Sequence, residues 1–146
     1  MIELKIKKLY SDVILPAYKS KEAAGLDLAA YIPNGITLKI NEVSFIKTGL
    51  SIELPIGYFA DIRPRSGFST KNKIIIPNAP GTIDSDYRGE IIIALLNLST
   101  EDFFLEHNTR IAQLLVQPHS KAQILEVNEL NSTERGSSGF GSTGFK

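Results

Sequence analysis

Most of the sequence consists of short segments with the residue pattern of β-strands, separated by turn-forming residues. Near the start, Ile2, Leu4 and Ile6 alternate with polar residues, which is the two-residue period of a half-buried strand. Further strands are predicted at residues 36–40, 43–47, 50–54, 58–63, 73–77, 90–98, 110–117 and 122–127. Pro, Asn and Gly stand between most of them. This pattern predicts an all-β fold of the sandwich, jelly-roll or barrel type.

Two segments depart from the alternating pattern. Residues 66–72 are predicted to form one short helix, with Ser66 available as its N-cap. Residues 91–96 are apolar without interruption, which predicts a strand buried on both faces. In a small all-β protein, such burial suggests that another subunit covers one face.

Composition limits the classes of function. A chain of 146 residues suits one domain. We predict one all-β domain at residues 1–130, which the family resemblance given below makes a β-barrel, and a flexible Gly/Ser-rich strap at residues 131–146. The 16 basic and 16 acidic residues cancel, which argues against a nucleic-acid-binding surface. The absence of cysteine excludes disulfides and thiolate chemistry.

The first residues alternate polar and apolar, unlike a signal peptide or a membrane span. We therefore expect a cytoplasmic protein with no membrane partner. His107 and His119 stand apart in the sequence, and nothing around either is typical of a metal-ligand pair.

Polar segments interrupt the strand pattern, and the first two contain groups suited to anions or water. Asp27 lies between two leucines, so its carboxylate could face inward and hold water or the hydration shell of a metal. The alternative is an outward-facing Asp on a strand. Arg65, Ser66 and Gly67 stand where a helix begins, and helix N–H groups with a planar guanidinium attract anions. A helix start with exposed arginines is the alternative.

The third polar segment spans residues 78–89. Its turn would present backbone N–H and C=O groups to the edge of a base. Asp84 and Asp86 are expected on the same side of an extended chain, next to Tyr87. A carboxylate that holds a water is what a general base requires, and Tyr87 would stack under a sugar. The alternative is a polar hairpin between strands at residues 74–76 and 90–98.

The fourth and fifth polar segments lie towards the C-terminus. Gln113 stands in an apolar strand, and a buried amide needs partners, either structural groups or a ligand. The last dozen residues combine Gly and Ser with Arg135 and Phe140, which suit a phosphate and a base respectively. They predict a mobile strap that closes over a nucleoside phosphate. A disordered terminus is the alternative.

In this order, the polar segments resemble the signature of the trimeric dUTPases over residues 24–144. The stretches Gly-Thr-Ile-Asp-Ser-Asp-Tyr-Arg-Gly and Gly-Phe-Gly-Ser-Thr-Gly match that signature almost letter for letter. The resemblance implies a jelly-roll-like distorted β-barrel and a homotrimer, with active sites shared between subunits and a strap that acts on a neighbour. It also implies hydrolysis of dUTP to dUMP and pyrophosphate, which keeps uracil out of DNA and supplies dUMP for thymidylate synthesis.

The resemblance also implies roles for single residues. Asp84 would activate the water that attacks the α-phosphorus, and Tyr87 would pack against the deoxyribose. Uracil would bind in a pocket formed by Asn78, Thr82, Ile83 and Ile92, with Phe140 covering it. The implied phosphate contacts are Arg65, Ser66, Gly67, Gln113, Arg135, Gly141, Ser142 and Thr143.

The implied cofactor is Mg²⁺, which prefers phosphate oxygens and waters to a dedicated protein cage. The resemblance makes Asp27 the holder of an ordered water near the metal, which the triphosphate mainly carries. Two alternatives remain open. One is a nucleotide enzyme like dCTP deaminase, and the other is a non-catalytic jelly-roll module that binds nucleotides.

Overall fold

The computed structural model describes residues 2–139. Over this range the chain forms eleven strands and one short helix, which confirms the predicted all-β class. In chain order the elements are β1 Lys5–Lys8, β2 Leu26–Ala29, β3 Ile36–Leu38, β4 Val43–Lys47, β5 Leu50–Glu53, β6 Tyr58–Pro64, α1 Ser66–Asn72, β7 Ile74–Ile75, β8 Gly81–Ile83, β9 Ile92–Asn97, β10 Phe103–Leu105 and β11 Arg110–Pro118.

The strands form four small antiparallel sheets around one hydrophobic core. The largest has the order β2-β11-β6-β8, and a three-stranded sheet has the order β4-β9-β7. The pairs β1-β5 and β3-β10 complete the set. Every sheet contributes fully buried side chains to the core, including Leu28, Leu38, Ile46, Leu50 and Ile93. No helix among residues 2–139 is both long and apolar enough to span a membrane.

The apolar run at residues 91–96 is not buried on both faces within one chain. Ile93 and Leu95 are buried, whereas Ile92 is 48% exposed. Within one chain the two-residue period of β9 directs alternate side chains outward, so the second face is left for another subunit to cover and that cover stays a prediction. Ile92 lies on this outward face.

Residues 122–127 form no strand, contrary to prediction, and Ile124 is 94% exposed. Alternation alone does not make a strand, because the backbone needs a pairing partner. Conversely, β2, β8 and β10 were not predicted. They have only three or four residues each and depend on pairing with distant strands.

Helix α1 has the predicted bounds but a different cap. Arg65, in an extended conformation with φ −87° and ψ 122°, occupies the N-cap position, and its side chain makes no capping hydrogen bond. Ser66 is therefore the first helical residue and not the cap. The prediction missed this because the chain stays extended for one residue beyond β6.

Asn97, at the end of β9, is a buried polar residue with complete hydrogen bonding. Its Nδ2 donates to the carbonyl oxygens of Leu38 at 2.9 Å and Glu101 at 3.0 Å. Its Oδ1 accepts from the backbone N–H of Ser99 at 2.9 Å. One side chain thus ties β9 to β3 and to the turn before β10.

Asn97→Ala is expected to lower the free energy of unfolding by about 1–3 kcal/mol, because it leaves buried backbone groups without partners. Urea unfolding at fixed protein concentration measures this loss. Asn128→Ala, at an exposed position outside the sheets, is the matched control and should leave the midpoint unchanged. Equal midpoints for both variants would contradict the assigned role.

Candidate active site

A pocket forms beside β8, the edge strand of the largest sheet. The pairing of Ile62 with Gly81 and of Ala60 with Ile83 fixes β8 against β6 on one side. Within that sheet β8 has no second neighbour, so one row of its backbone N–H and C=O groups is not used in sheet pairing. An edge of this kind can bind a planar polar ligand through its backbone.

We call this cavity, of about 220 Å³, the Asp84 pocket. Its lining combines several isoleucine side chains with a few polar groups, as in sites for small planar ligands. The lining residues are Ile62, Ile76, Asn78, Gly81, Thr82, Ile83, Asp84, Tyr87, Glu90, Ile91, Ile92, Ile93 and Ala94. The structure thus brings together Asn78, Thr82, Ile83, Asp84, Tyr87 and Ile92 from the predicted site.

Asp84 follows β8 directly, and a turn leads from it to Tyr87. The N–H of Tyr87 donates to the carbonyl of Asp84 at 3.2 Å. The chain therefore turns here. This differs from the prediction, which placed Asp84 and Asp86 on one side of an extended chain. Residues 78–89 do not form a tight hairpin either. Strands β7 and β9 pair with each other, but the long connection between them includes β8, which pairs with β6 in a different sheet.

Tyr87 is held at the hydroxyl end of its side chain. Its hydroxyl donates to the carbonyl of Glu90 at 3.0 Å. Its ring lies directly against Gly89, where a Cβ atom would overlap the hydroxyl end of the ring. Glu90 is itself fixed, because its Oε1 accepts from the N–H of Gly49 at 2.9 Å. Glycine is thus required at position 89 for the observed ring placement.

Arg88 stabilises the same turn. Its Nη1 donates to the carbonyls of Ser85 at 2.7 Å and Tyr87 at 3.0 Å. Its Nε lies 3.9 Å from Glu53 on β5. The hydrogen bond from Lys5 lowers the pKa of Glu53 below its ordinary value, which favours the ionised form opposite Arg88. Both side chains are exposed, so this pair contributes little energy.

Two further predicted residues, Asp27 and Arg65, meet the unpredicted Arg110 elsewhere, and we call these three residues the arginine cluster. Oδ1 of Asp27 accepts from Nε of Arg65 at 2.9 Å, and Oδ2 accepts from Nη1 of Arg110 at 2.8 Å. Nη1 of Arg65 also donates to the carbonyl of Arg110 at 3.0 Å. The carboxylate of Asp27 thus faces two arginines, and its predicted metal-linked water stays a prediction.

Gln113 has a structural partner. Its Nε2 donates to the carbonyl of Pro64 at 3.0 Å, one residue before Arg65. Gly25 leaves room for its amide, because a Cβ there would press on Oε1. Ser66 and Gly67 lie exposed in the first turn of α1. Gln113 therefore links β11 to the segment that carries the predicted phosphate contacts.

The two sets of predicted residues do not share a pocket within one chain. The arginine cluster, Ser66, Gly67 and Gln113 are absent from the lining of the Asp84 pocket. Arg135 is exposed, and its Nε donates to the carbonyl of Ser138 at 3.0 Å within a local turn. The predicted strap residues Phe140, Gly141, Ser142 and Thr143 lie outside the described residues.

Comparison with known proteins identifies the family. The dUTPase family model matches residues 11–144. The chain belongs to the dUTPase family. This agrees with the resemblance found in the sequence. The dCTP deaminase and non-catalytic alternatives are not favoured.

Curated relatives match over nearly the whole chain. A protein of Nautilia profundicola named deoxyuridine 5'-triphosphate nucleotidohydrolase is 50% identical over 98% of this chain and 99% of its own length. A relative of the same name from Rickettsia prowazekii is 46% identical over 99% of each. The match to these two dUTPases thus extends over nearly their whole length.

Solved dUTPase structures confirm the predicted jelly-roll barrel. A dUTPase of Staphylococcus bacteriophage 80alpha, solved with dUpNHpp, has a TM-score of 0.85 and 28% identity over 97% of this chain and 98% of its own. The dUTPase of phage phi11 of S. aureus, described as coordinating a structural Mg(II) ion, has a TM-score of 0.81. At 22% identity over 89% of this chain and 99% of its own, it shows the fold alone.

Sequence reasoning missed several contributors to these sites, two of them charged. Glu90 lines the Asp84 pocket, and Arg110 completes the arginine cluster. Arg110 stands only three residues before the predicted Gln113, but no sequence signal pairs it with Asp27. That contact depends on the pairing of β2 with β11.

Gly89→Ala is expected to displace the Tyr87 ring with little loss of stability, because this side chain is already 45% exposed and can turn further into solvent once its bond to Glu90 breaks. Aromatic NMR resonances of Tyr87, assigned by comparison with Tyr87→Ala, report the displacement. Urea unfolding reports the stability. Unchanged ring resonances would contradict the inferred contact.

Proposed function

We propose that this protein is a dUTP diphosphatase that hydrolyses dUTP to dUMP and pyrophosphate. The observation that carries the proposal is the Asp84 pocket. It places a carboxylate, a tyrosine ring and an edge strand around one cavity in a chain of the dUTPase family. The chemistry of each part matches a part of dUTP. DNA-precursor chemistry also fits the cytoplasmic location predicted from the sequence.

The base and sugar occupy the apolar part of the pocket. Isoleucine side chains contact the faces of uracil, and the free edge of β8 pairs with its polar edge, with Asn78 and Thr82 nearby. The narrow turn excludes the methyl group of thymine. Tyr87, fixed against Gly89 and Glu90, packs against the deoxyribose where a 2′-hydroxyl would lie. This arrangement selects dUTP over dTTP and UTP.

Asp84 is the general base. Its side chain is exposed at the pocket, where a water molecule can reach it. The carboxylate accepts a proton as the water oxygen bonds to the α-phosphorus. The bond from that phosphorus to the bridging oxygen breaks, and pyrophosphate leaves with the electron pair. Positioning and proton transfer of this kind are the main protein contributions to phosphoryl chemistry.

The phosphates contact residues of a second chain. In one chain the predicted phosphate ligands Arg65, Ser66, Gly67 and Gln113 do not line the Asp84 pocket. A site that holds the whole nucleotide therefore combines the Asp84 pocket of one subunit with the arginine cluster of another. We propose a homotrimer with three such shared sites. The outward Ile92 is an apolar residue available at the junction.

Magnesium fits this chain as an ion carried by the nucleotide. Among the described residues, no three His, Asp or Glu side chains converge to hold a metal. The triphosphate supplies the oxygen ligands that Mg²⁺ prefers, and Asp27 retains lone pairs to hold a water of its hydration shell. When bound, the ion neutralises phosphate charge and aligns the phosphates for attack.

The C-terminal strap, residues 131–146, completes the site of a neighbouring subunit. Arg135 pairs with the γ-phosphate, Phe140 covers uracil, and Gly141, Ser142 and Thr143 contact the terminal phosphates. The exposure of Arg135 in the described structure is compatible with such a movement. Closure expels water from the reacting groups.

The function is tested directly by pyrophosphate release from dUTP compared with dTTP, dCTP and UTP. Rapid release from dUTP alone is expected. Ammonia release from dCTP, or binding of dUTP without turnover, would overturn the proposal.

Asp84→Asn is expected to lower kcat by roughly 10²–10⁴-fold, because it removes the base while preserving size and polarity. Asp86→Asn is the matched control, since Asp86 is an exposed carboxylate in the same turn. It should keep kcat close to that of the wild type. Binding of dUpNHpp should persist in both variants. An Asp84→Asn enzyme with near-normal kcat would sink the assignment.

Subunit sharing is tested by mixing two inactive chains, one lacking residues 134–146 and one carrying Asp84→Asn. If a strap acts on a neighbour's site, mixed trimers place an intact strap over an intact Asp84 and recover part of the activity. Native mass spectrometry establishes that mixed trimers form. Inactive mixed trimers would refute a strap that acts between subunits.

A further inference from the structure

The arginine cluster contains one residue, Arg110, that the proposed mechanism does not use. Its Nη1 donates to Oδ2 of Asp27 at 2.8 Å, while Nε of Arg65 donates to Oδ1 at 2.9 Å. The side chain of Asp27 is only 13% exposed, against 27% for Arg65 and 48% for Arg110. The carboxylate is thus enclosed between two guanidinium groups that come from different parts of the sheet.

Arg110 changes the charge of the cluster. Asp27 and Arg65 alone would form a neutral pair, with little attraction for an anion. With Arg110, one negative and two positive side chains leave a single positive charge. Because Asp27 is partly buried, water screens the cluster less, and the single positive charge that Arg110 adds attracts a nearby phosphate more strongly.

Arg65 is oriented by two contacts, one with the Asp27 carboxylate that the Arg110 side chain also holds and one with the backbone carbonyl of Arg110. A guanidinium has five N–H donors in a rigid plane. Nε of Arg65 is bonded to Asp27, and one Nη1 hydrogen is bonded to the carbonyl of Arg110 at 3.0 Å. Both hydrogens on Nη2 and the second on Nη1 remain for a ligand. Two fixed bonds set the plane, and a set plane binds phosphate oxygens in a defined geometry.

We propose that Arg110 is a positioning residue for phosphate binding: its side chain holds Asp27, through Asp27 it sets the position of Arg65, and it keeps the cluster cationic. This inference rests on the proposed function. If Arg110 were merely structural, it would hold β2 against β11 and have no specific effect on the affinity for the phosphates of the nucleotide. The two roles therefore differ in which part of the nucleotide loses affinity when Arg110 is changed.

The test compares Arg110→Gln with wild type in binding dUpNHpp and deoxyuridine, measured by titration calorimetry and NMR respectively. The affinity for dUpNHpp should fall about 10-fold or more, the scale expected for a lost charge-assisted interaction. The affinity for deoxyuridine, which has no phosphate, should not change. Equal loss for both ligands, or loss for neither, would overturn the inference.

Arg63→Gln is the matched control. Arg63 lies two residues from Arg65, is 44% exposed and pairs with Asp61 at 2.8 Å, outside the arginine cluster. Like Arg110→Gln, the Arg63→Gln variant removes one positive charge, and it does so close to Arg65. If it weakens dUpNHpp as much as Arg110→Gln does, the effect is general electrostatics and the inference is wrong.

Arg110→Lys keeps the charge but loses the planar fork. It is expected to bind dUpNHpp more tightly than Arg110→Gln and less tightly than wild type. It also carries the test if Arg110→Gln does not fold: weaker dUpNHpp binding with unchanged deoxyuridine binding supports the inference, and any other result contradicts it. If the wild type neither binds dUpNHpp nor hydrolyses dUTP, the proposed function fails instead.

Discussion

Strand β6 pairs with two different strands, and both sets of candidate residues depend on these pairings. Along one edge its Ile62 lies opposite Gly81 of β8, and along the other its Arg63 lies opposite Gln113 of β11. If β8 or β11 shifted by one residue relative to β6, every side chain of the shifted strand would move to the opposite face of the sheet. The same strand therefore fixes the position of Asp84, just beyond β8, and of Arg65, just beyond β6.

The formal net charge of the protein is zero, but individual charged groups have very different surroundings. Asp27 is largely enclosed and faces two arginines, so it orders cationic groups. Asp84 is exposed and, among the described residues, enters no ion pair, so it remains accessible to water. The two carboxylates thus have different surroundings, which is the physical basis for the different roles proposed for them.

The separation of the Asp84 pocket from the arginine cluster gives the proposed assembly a chemical reason. A triphosphate nucleotide has an apolar base at one end and a dense negative charge at the other. One chain offers each kind of surface in a different place. Bringing the two surfaces together between subunits would bind the whole nucleotide, and the outward apolar Ile92 would lose its contact with water.

The sequence by itself determined the all-β class, the bounds of the single short helix and the grouping of Asn78, Asp84 and Tyr87. These follow from two-residue periodicity and from residues close together in the chain. It could not determine the brief β2 and β8 strands, the N-cap at Arg65 or the contact of Arg110 with Asp27. Only the tertiary structure decided these, because each depends on backbone pairing between segments far apart in sequence. Such pairing leaves no periodic signal in the residues that it brings together.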